Sequence, residues 1–398
     1  MATVAAQVQK SWRETAVDER INYIVEASKL AQDKAEQLAV LLSQEMGKDI
    51  RRSYSEVMGC AQGAPYFANQ VCEAIQSRQV SGATIEYVPL GVAAVISPWN
   101  YPLAMANNLL VPALIAGNTV LFKPSEETPL IADAYIRLFN QILPDKVLQI
   151  IHGGKEQGQA IVEADINIIA FTGSMASGKD IMRRASGSLK RLIMELGGND
   201  PMIVLDDADI DRAAQFAVAS SFENAGQMCT STERIYVDEK IADSFEQRTA
   251  EIASQYQIGP WNKEGVNIGP IINKHQRRKV IEHIDDAINK GARILLGGSD
   301  HPDHFIKPTV LADVTTEMRM EKEETFGPVV SISRYKNIND AIRRANATDY
   351  GLGAVVFGGS SATDVGRQIE AGMIGINSGV GAGGMHQSYI GIHHIDFL

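Results

Sequence analysis

The chain has 398 residues, 45% hydrophobic and 21% charged, which is enough apolar material for two or three packed domains and argues against wholesale disorder. A formal charge of −11 sets it against nucleic acid and gives no attraction to anionic lipid. Three cysteines, Cys60, Cys72 and Cys229, are too few and too odd in number for a disulfide framework and fit a reducing, cytoplasmic setting.

No apolar run approaches the ~18 residues of a membrane span, and residues 1–13 lack the apolar core of a secretory signal. Residues 3–75 read as helices: Ile21, Ile24, Val25, Ser28 and Ala31 recur on one face, and Leu38, Leu41 and Leu42 repeat the pattern. Cys60 and Cys72 fall in this stretch and read as packing residues. From 79 to 91 the chain turns extended, with Ile85-Glu86-Tyr87-Val88 ahead of Pro89-Leu90-Gly91, the pattern of a hairpin or a sheet edge. Val92-Ala93-Ala94-Val95-Ile96 is a short continuous apolar run, as expected of a strand buried on both faces. A helix over 103–116, a buried strand at 119–123, a helix at 129–143 and a strand at 147–151 follow. A helix at 157–163 and a strand at 166–171 complete the alternation. Such repeats imply a parallel, doubly wound sheet with ligands at the carboxyl ends of its strands.

Thr172-Gly173-Ser174-Met175-Ala176-Ser177-Gly178-Lys179-Asp180 nearly matches a phosphate-binding loop, Gly-x4-Gly-Lys-Ser/Thr. Asp180 stands where the magnesium-binding hydroxyl is needed, and its charge repels a triphosphate, so the segment argues against a nucleotide triphosphatase. A glycine turn opening a helix still suits a pyrophosphate, because free backbone N–H groups and the helix dipole favour anions. A plain strand–helix turn is the alternative. A strand over 191–196 then delivers Glu195 to Gly197-Gly198. A strand at 202–205 and a helix at 210–221 lead into Phe222-Glu223-Asn224-Ala225-Gly226-Gln227-Met228-Cys229-Thr230-Ser231-Thr232-Glu233-Arg234. Residues 235–377 alternate strands and helices again, including a helix at 279–289 and a strand at 293–296, and read as a second α/β domain.

A lone cysteine is most often a small buried hydrophobe. Its thiol, with a pKa of about 8.5, is only a few per cent thiolate at neutral pH without help. Cys229 follows a Gly-Gln turn, and a strand-end carboxylate, Glu195, lies 34 positions earlier. Among the eight histidines, His301, His304, His393 and His394 do not show the spacing of a zinc site, and no metal is expected.

With these features in place the chain closely resembles the aldehyde dehydrogenase superfamily, of the hydrolytic, non-acylating type. The matching segments are Pro98-Trp99-Asn100-Tyr101-Pro102, Lys123-Pro124-Ser125-Glu126, Phe171-Thr172-Gly173-Ser174, Glu195-Leu196-Gly197-Gly198, Gly226-Gln227-Met228-Cys229 and Glu324-Thr325-Phe326-Gly327-Pro328, in the family's order over residues 5–378. The resemblance implies an oxidoreductase that oxidises a small-molecule aldehyde to a carboxylic acid with NAD, or with NADP where Lys123 assists a phosphate. It implies Cys229 as nucleophile through a thiohemiacetal and a thioester, Asn100 and the Cys229 N–H as donors to the oxyanion, and Glu195 as the base that activates water. Coenzyme A-acylating relatives generally lack that glutamate. Lys123 and Glu126 match the residues at the adenosine ribose, where an acidic group favours NAD. Trp99, Gly173 and Ser174 match positions around the pyrophosphate, Glu324 the residue at the nicotinamide ribose, and Phe326 the ring packed near it. Core packing for Phe326 and a solvated acidic run for Glu324 are the bland alternatives.

The implied fold is α/β, two doubly wound parallel-sheet domains with a small oligomerisation hairpin. The expected divisions are a Rossmann-like coenzyme-binding domain at 1–196, interrupted by the hairpin at 79–92, a catalytic domain at 197–378 and a divergent tail at 379–398. Both ends are short for the family, and Tyr389 and Ile392 stand where Gly and Arg are expected. A homo-oligomer is expected from the family, while the closing strand that would join a neighbouring subunit is missing. The alternative reading is therefore a shortened, catalytically weak or silent relative that keeps nucleotide binding or partner association. Substrate hints disagree. The residues after Cys229 are similar to salicylaldehyde- and vanillin-type enzymes, and Gly383-Gly384-Met385-His386-Gln387-Ser388 to some succinate-semialdehyde enzymes.

Overall fold

The computed structural model describes residues 1–298, 302 and 304–380. The described residues divide into two units, Met1–Met46 with Ile50–Leu196, and Gly47–Asp49 with residues 197–380.

The first unit opens on four helices, α1 (Ala2–Trp12), α2 (Val17–Asp33), α3 (Ala35–Met46) and α4 (Ile50–Ala74). Their apolar stripes turn inward: Ile24, Ala27 and Ala31 of α2 and Leu38 and Leu42 of α3 are buried. Cys60 of α4 is buried and Cys72 partly so, in keeping with packing roles. The extended region is smaller than its sequence suggests. Strands β1 (Arg78–Val80) and β2 (Ala83–Ile85) pair antiparallel and are mostly exposed. Ser81 (φ 47°) and Gly82 (φ 83°) make a two-residue turn with left-handed backbone at both positions, the geometry that suits the twist of a hairpin. Residues 86–91 form no strand, because Pro89 and Gly91 offer no regular ladder.

Five strands then build one all-parallel sheet: β3 (Val92–Ile96), β4 (Thr119–Lys123), β5 (Leu148–Ile150), β6 (Ile168–Thr172) and β7 (Arg191–Glu195), in the order β5-β4-β3-β6-β7. The chain moves outward from β3 through β4 to β5 and returns to the other side of β3 with β6, so a topological switch point lies between β3 and β6. Crossover helices are α5 (Pro102–Ile115), α6 (Pro129–Phe139), α7 (Lys155–Glu163) and α8 (Met175–Ala185). Helix α6 is shorter than the 129–143 expected. Gln141 N–H already bonds to Leu138 O and Ile142 N–H to Phe139 O, a tightening that unwinds the helix ahead of Pro144. The buried end of α5 is closed by the N-terminal helices: Trp12 Nε1 donates to Leu114 O at 3.1 Å and Arg20 Nε to Ile115 O at 2.8 Å.

Among the described residues the second unit carries seven strands, β8 (Asp200–Val204), β9 (Thr232–Asp238), β10 (Arg293–Leu296), β11 (Thr309–Ala312), β12 (Val329–Tyr335), β13 (Gly353–Phe357) and β14 (Met373–Ile376). Their order is β10-β11-β12-β9-β8-β13-β14, parallel except for β10, which runs antiparallel along one edge. Helices α9 (Ile210–Phe222), α10 (Ala242–Ala253), α11 (Lys274–Asn289), α12 (Ile338–Ala345) and α13 (Ala362–Gly366) flank the sheet. One core cluster joins Ala213, Ala217 and Phe222 of α9 to Ile235, Ile332 and Val355; another gathers Ile203, Tyr236, Ile342 and Val356. Together these are the expected α/β fold, with two doubly wound, mainly parallel sheets and a small hairpin. Among the described residues no helix is long and apolar enough to cross a membrane.

Candidate functional site

In the first unit the candidate residues collect at one edge of the sheet. Register pairs Ile96 with Lys123, Ile96 with Phe171, and Thr172 with Glu195. Trp99 and Asn100 therefore follow the end of β3, Lys123 and Glu126 the end of β4, Gly173 and Ser174 the end of β6, and Glu195 closes β7. This is the carboxyl edge, and the turns after β3 and β6 flank the switch point, where open α/β sheets hold ligands. Asn100 is buried, Trp99 is half-buried, and Glu195 and Ser174 are exposed. The turn bearing Asn100 is braced by a residue with no sequence signal: buried Glu56 of α4 accepts the first free amides of α5, Leu103 N–H at 3.0 Å and Ala104 N–H at 3.1 Å.

Lys123 has a buried side chain whose Nζ donates to Glu126 Oε2 at 3.1 Å and to Pro124 O at 3.0 Å, while the Glu126 carboxylate reaches solvent. Ser174 caps α8 by accepting Ser177 N–H at 3.3 Å. The near-match to a phosphate loop is not one. Gly178 and Lys179 lie inside α8, so their amides serve the helix, and a Cβ on Gly178 would press on Leu196 at 2.7 Å. Asp180 is turned to Arg183, Arg184 and Gln159. What remains is a helix N-terminus after a glycine turn, a buried cation, and an exposed carboxylate, a donor and acceptor set that fits a dinucleotide.

In the second unit the candidates stand at the opposite kind of edge. Asp200 pairs with Thr232, and Ile332 with Ile235, so Gly197-Gly198, Cys229 and the Glu324–Pro328 segment precede the amino ends of β8, β9 and β12. Helix α9 stops at Phe222, and Asn224 (φ 51°), Ala225 (φ 59°) and Gly226 (φ 72°) all take left-handed backbone to reverse the chain. Side chains hold this costly turn. Gln227, fully buried, donates to Asn224 O at 3.0 Å and accepts Ile272 N–H at 2.9 Å. Past the cysteine, Thr232 N–H bonds to Ser220 Oγ at 3.1 Å and Ser221 Oγ to Thr232 O at 2.7 Å, stitching the Thr-Ser-Thr run to the last turn of α9. Cys229 between these anchors is half-buried.

Three glycines let backbones meet around it. A Cβ on Gly198 would overlap the Cys229 carbonyl oxygen, one on Gly197 the Glu324 carboxylate, and one on Gly226 the Gly327 carbonyl. Glu324 Oε1 accepts Gly198 N–H at 3.1 Å. Cys229, Gly197-Gly198 and Glu324 are thus one assembly. Phe326, with φ 57°, is half-buried and follows Glu324 in the same loop.

The electrostatics of this loop come from burial. Glu324 sits above the usual carboxylate range because it is buried, with Lys279 and the Gly198 amide pulling the other way. Glu233, buried and four residues beyond Cys229, is pushed up to about 8 by burial and then by the Glu324 charge. The two titrate together, so the pair keeps a proton near neutrality. His283 of α11 is held down at about 4 by burial and then by Arg319 and Lys279. Its Nδ1 meets Thr325 Oγ1 at 3.1 Å.

Asn100, Lys123, Glu126, Gly173, Ser174, Trp99 and Glu195 are placed in the first unit, and Cys229, Glu324 and Phe326 in the second. Glu56, Ser220 and Glu233 carry no sequence signal of their own, since each acts on backbone remote from it in the chain. Among the described residues no group of three His, Cys, Asp or Glu side chains is placed to hold a metal ion. His301, His393, His394 and most of the 379–398 tail lie outside the described residues.

Comparison with known proteins agrees with the motifs. The family model described as "Aldehyde dehydrogenase family" matches residues 1–396. The chain is 36% identical over 382 residues to the NADP(+) succinate-semialdehyde dehydrogenase GabD of Escherichia coli (strain K12), covering 93% of this chain and 79% of that protein. A crystal structure described as an E. coli NADP-dependent enzyme superposes with TM-score 0.92 at 34% identity, over 95% of this chain and 81% of that one. An NAD-dependent aldehyde dehydrogenase from Sinorhizobium meliloti does so at 0.90 and 32% identity, over 95% and 78%. The chain belongs to the aldehyde dehydrogenase family, enzymes that oxidise aldehydes to carboxylic acids with a nicotinamide cofactor.

Proposed function

We propose that this chain oxidises a small aldehyde to the free acid, with Cys229 as nucleophile, Asn100 as oxyanion donor and Glu195 as the base for hydrolysis. The observation that carries the reading is the packing of Gly198 between the Cys229 carbonyl and the Glu324 carboxylate, which joins the backbone of the cysteine loop to a cofactor-type acidic group. Glu195, exposed at the end of β7, takes a proton from the thiol or from water. The Cys229 thiolate adds to the aldehyde carbon and gives a thiohemiacetal whose oxygen carries the developing charge. Asn100 answers that charge; one such donor contributes about 2.7–4 kcal/mol to the transition state. Bound cofactor supplies the acceptor for the hydride that leaves the thiohemiacetal carbon. The resulting thioester on Cys229 is cleaved by water that Glu195 deprotonates, releasing the acid and restoring the thiol.

Residues 1–196, with Trp99, Lys123, Glu126, Gly173 and Ser174, serve as the coenzyme-binding part, and residues 197–378, with Glu324 and Phe326 at the nicotinamide side, as the catalytic part. The exposed Glu126 carboxylate favours NAD, and Lys123 beneath it admits NADP. Succinate semialdehyde is the first substrate to try, on the strength of the relative at 36% identity. The protein is taken as cytoplasmic, and as a homo-oligomer through the 78–85 hairpin. The test is NADH and NADPH formation by the purified chain with succinate semialdehyde and a panel of aliphatic and aromatic aldehydes. Turnover with at least one aldehyde is expected. A folded protein that binds NAD yet oxidises none of them would overturn the reading and leave the silent relative. Glu195→Gln should give one rapid equivalent of NADH per site followed by turnover slowed about 10²–10⁴-fold, as the thioester waits for water.

A further inference from the structure

Glu233 lies at the second residue of β9 and is 6% exposed. Its carboxylate is turned away from solvent and onto two backbone amides. Oε2 accepts Thr325 N–H at 2.6 Å and Oε1 accepts Phe326 N–H at 2.8 Å. The same residue's main-chain carbonyl takes a hydrogen bond from Ser331 Oγ on β12. From the other side, Gln276 Nε2 of α11 donates to Thr325 O at 3.1 Å and Phe326 O at 3.0 Å. Amides and carbonyls of the loop that bears Glu324 are therefore both gripped. The loop needs gripping, because Phe326 at φ 57° holds a left-handed backbone that costs a side-chain-bearing residue about 1–2 kcal/mol. Gln276 reaches it from a helix; Glu233 reaches it from the cysteine's own segment.

We propose that Glu233 is a positioning residue for hydride transfer, whose two-point hold on the Thr325 and Phe326 amides keeps the Glu324 loop in register with Cys229. This rests on the assignment of Glu324 to the nicotinamide ribose made above. A carboxyl group suits the task because both its oxygens accept. A carboxamide offers one acceptor and one donor, and the donor would oppose an amide N–H. Loss of the hold frees Phe326 to leave its left-handed conformation and lets the Glu324 carboxylate drift from Gly198, while Cys229 keeps its own anchors at Gln227, Ser220 and Ser221.

The experiment uses the full chain and three readouts. Hydrogen exchange on the wild type should find the Thr325 and Phe326 amides strongly protected; rapid exchange there would overturn the proposal whatever the variants do. Glu233→Gln should raise the KM for NAD and lower kcat with the best aldehyde about tenfold or more, on the scale of a misplaced positioning group. Alkylation of Cys229 by iodoacetamide, which needs the thiol but no cofactor, should stay within about twofold of the wild type because its anchors are elsewhere. Wild-type KM and kcat in Glu233→Gln would overturn the proposal, and so would equal losses of alkylation and dehydrogenation, which would place Glu233 in service of the cysteine loop alone. Glu233→Asp keeps the carboxyl group but falls one methylene short, so it should show a smaller loss of the same kind and replaces Glu233→Gln if that variant does not fold. If the wild type oxidises no aldehyde, the proposed function fails on its own, and amide protection together with NADH affinity in the variants still judges the hold.

Discussion

The two units solve the problem of placing chemistry on a parallel sheet in opposite ways. In the first, candidate residues stand at the carboxyl edge, on ordinary strand–helix turns, with Ser174, Glu126 and Glu195 exposed. Regular turns leave side chains accessible to a ligand and ask little of the backbone. In the second, Cys229 and Glu324 stand at the amino edge, on loops with left-handed Asn224, Ala225, Gly226 and Phe326, and they are tied down by buried side chains. A nucleophile must be held to a fraction of an ångström, whereas a dinucleotide spreads its contacts over several turns. The difference teaches that the cysteine-bearing loop is over-anchored because its conformation is unfavourable without anchors.

The sharpest way to break the comparison is at the thiol. Cys229→Ala should lower dehydrogenase turnover by at least about 10³-fold. NADH binding, followed by fluorescence, should stay near the wild-type value, since the coenzyme-type turns belong to the other unit. Activity that survives would remove Cys229 from the chemistry.

Next in size is a contrast between two glycines. Gly226→Ala puts a Cβ into the Gly327 carbonyl at a left-handed residue and should cost about 3 kcal/mol by urea unfolding, from strain and overpacking together. Gly187→Ala, with open space around it in the first unit, should be neutral or stabilise by up to about 1 kcal/mol. Equal effects at the two sites would show that the second unit's loop is no tighter than an ordinary turn.

Acid should strain the second unit through His283. Burial holds its folded pKa at about 4, below the ordinary value of 6.5. The unfolded chain therefore binds more protons between those values, so stability is intact above pH 6.5, falls as pH drops, and has lost about 3 kcal/mol near pH 4. Unfolding free energies measured from pH 7.5 to 4.5 should decline less steeply in His283→Gln than in the wild type. Parallel declines would mean that this histidine is not held neutral.

The smallest effect belongs to the first unit. Glu126→Gln should improve the ratio of kcat/KM for NADP over NAD by about tenfold or less, because the exposed carboxylate repels a 2′-phosphate only through a screened interaction. A change larger than the one at Gly226 would reverse the view that the coenzyme side tolerates alteration.

Much of the first unit was legible from residues alone. The apolar runs at 92–96 and 119–123 announced strands buried on both faces, and they are fully buried. The Glu195-Leu196-Gly197-Gly198 and Gly226-Gln227-Met228-Cys229 segments drew attention to residues whose glycines the structure explains by close contact, with backbone at Gly198 and Gly226 and with the Glu324 carboxylate at Gly197. Other readings missed for local reasons. The helix at 129–143 loses its last turn ahead of Pro144, and the extended stretch expected to run to Gly91 leaves the ladder after Ile85. The candidate residues of the second unit precede their strands, whereas those of the first follow theirs.

Sequence by itself determined most of the elements, the alternation that makes parallel sheets, and the candidate groups, because periodicity and residue chemistry are local properties. Tertiary structure alone decided which groups hold the reactive loops. Glu56 reaches the start of α5 from α4, Gln227 reaches Ile272, and Glu233 reaches Thr325 and Phe326 across 92 and 93 positions. A carboxylate satisfied by backbone amides has no sequence signature, since every residue except proline offers the same N–H, and only the folded path of the chain says which ones it meets.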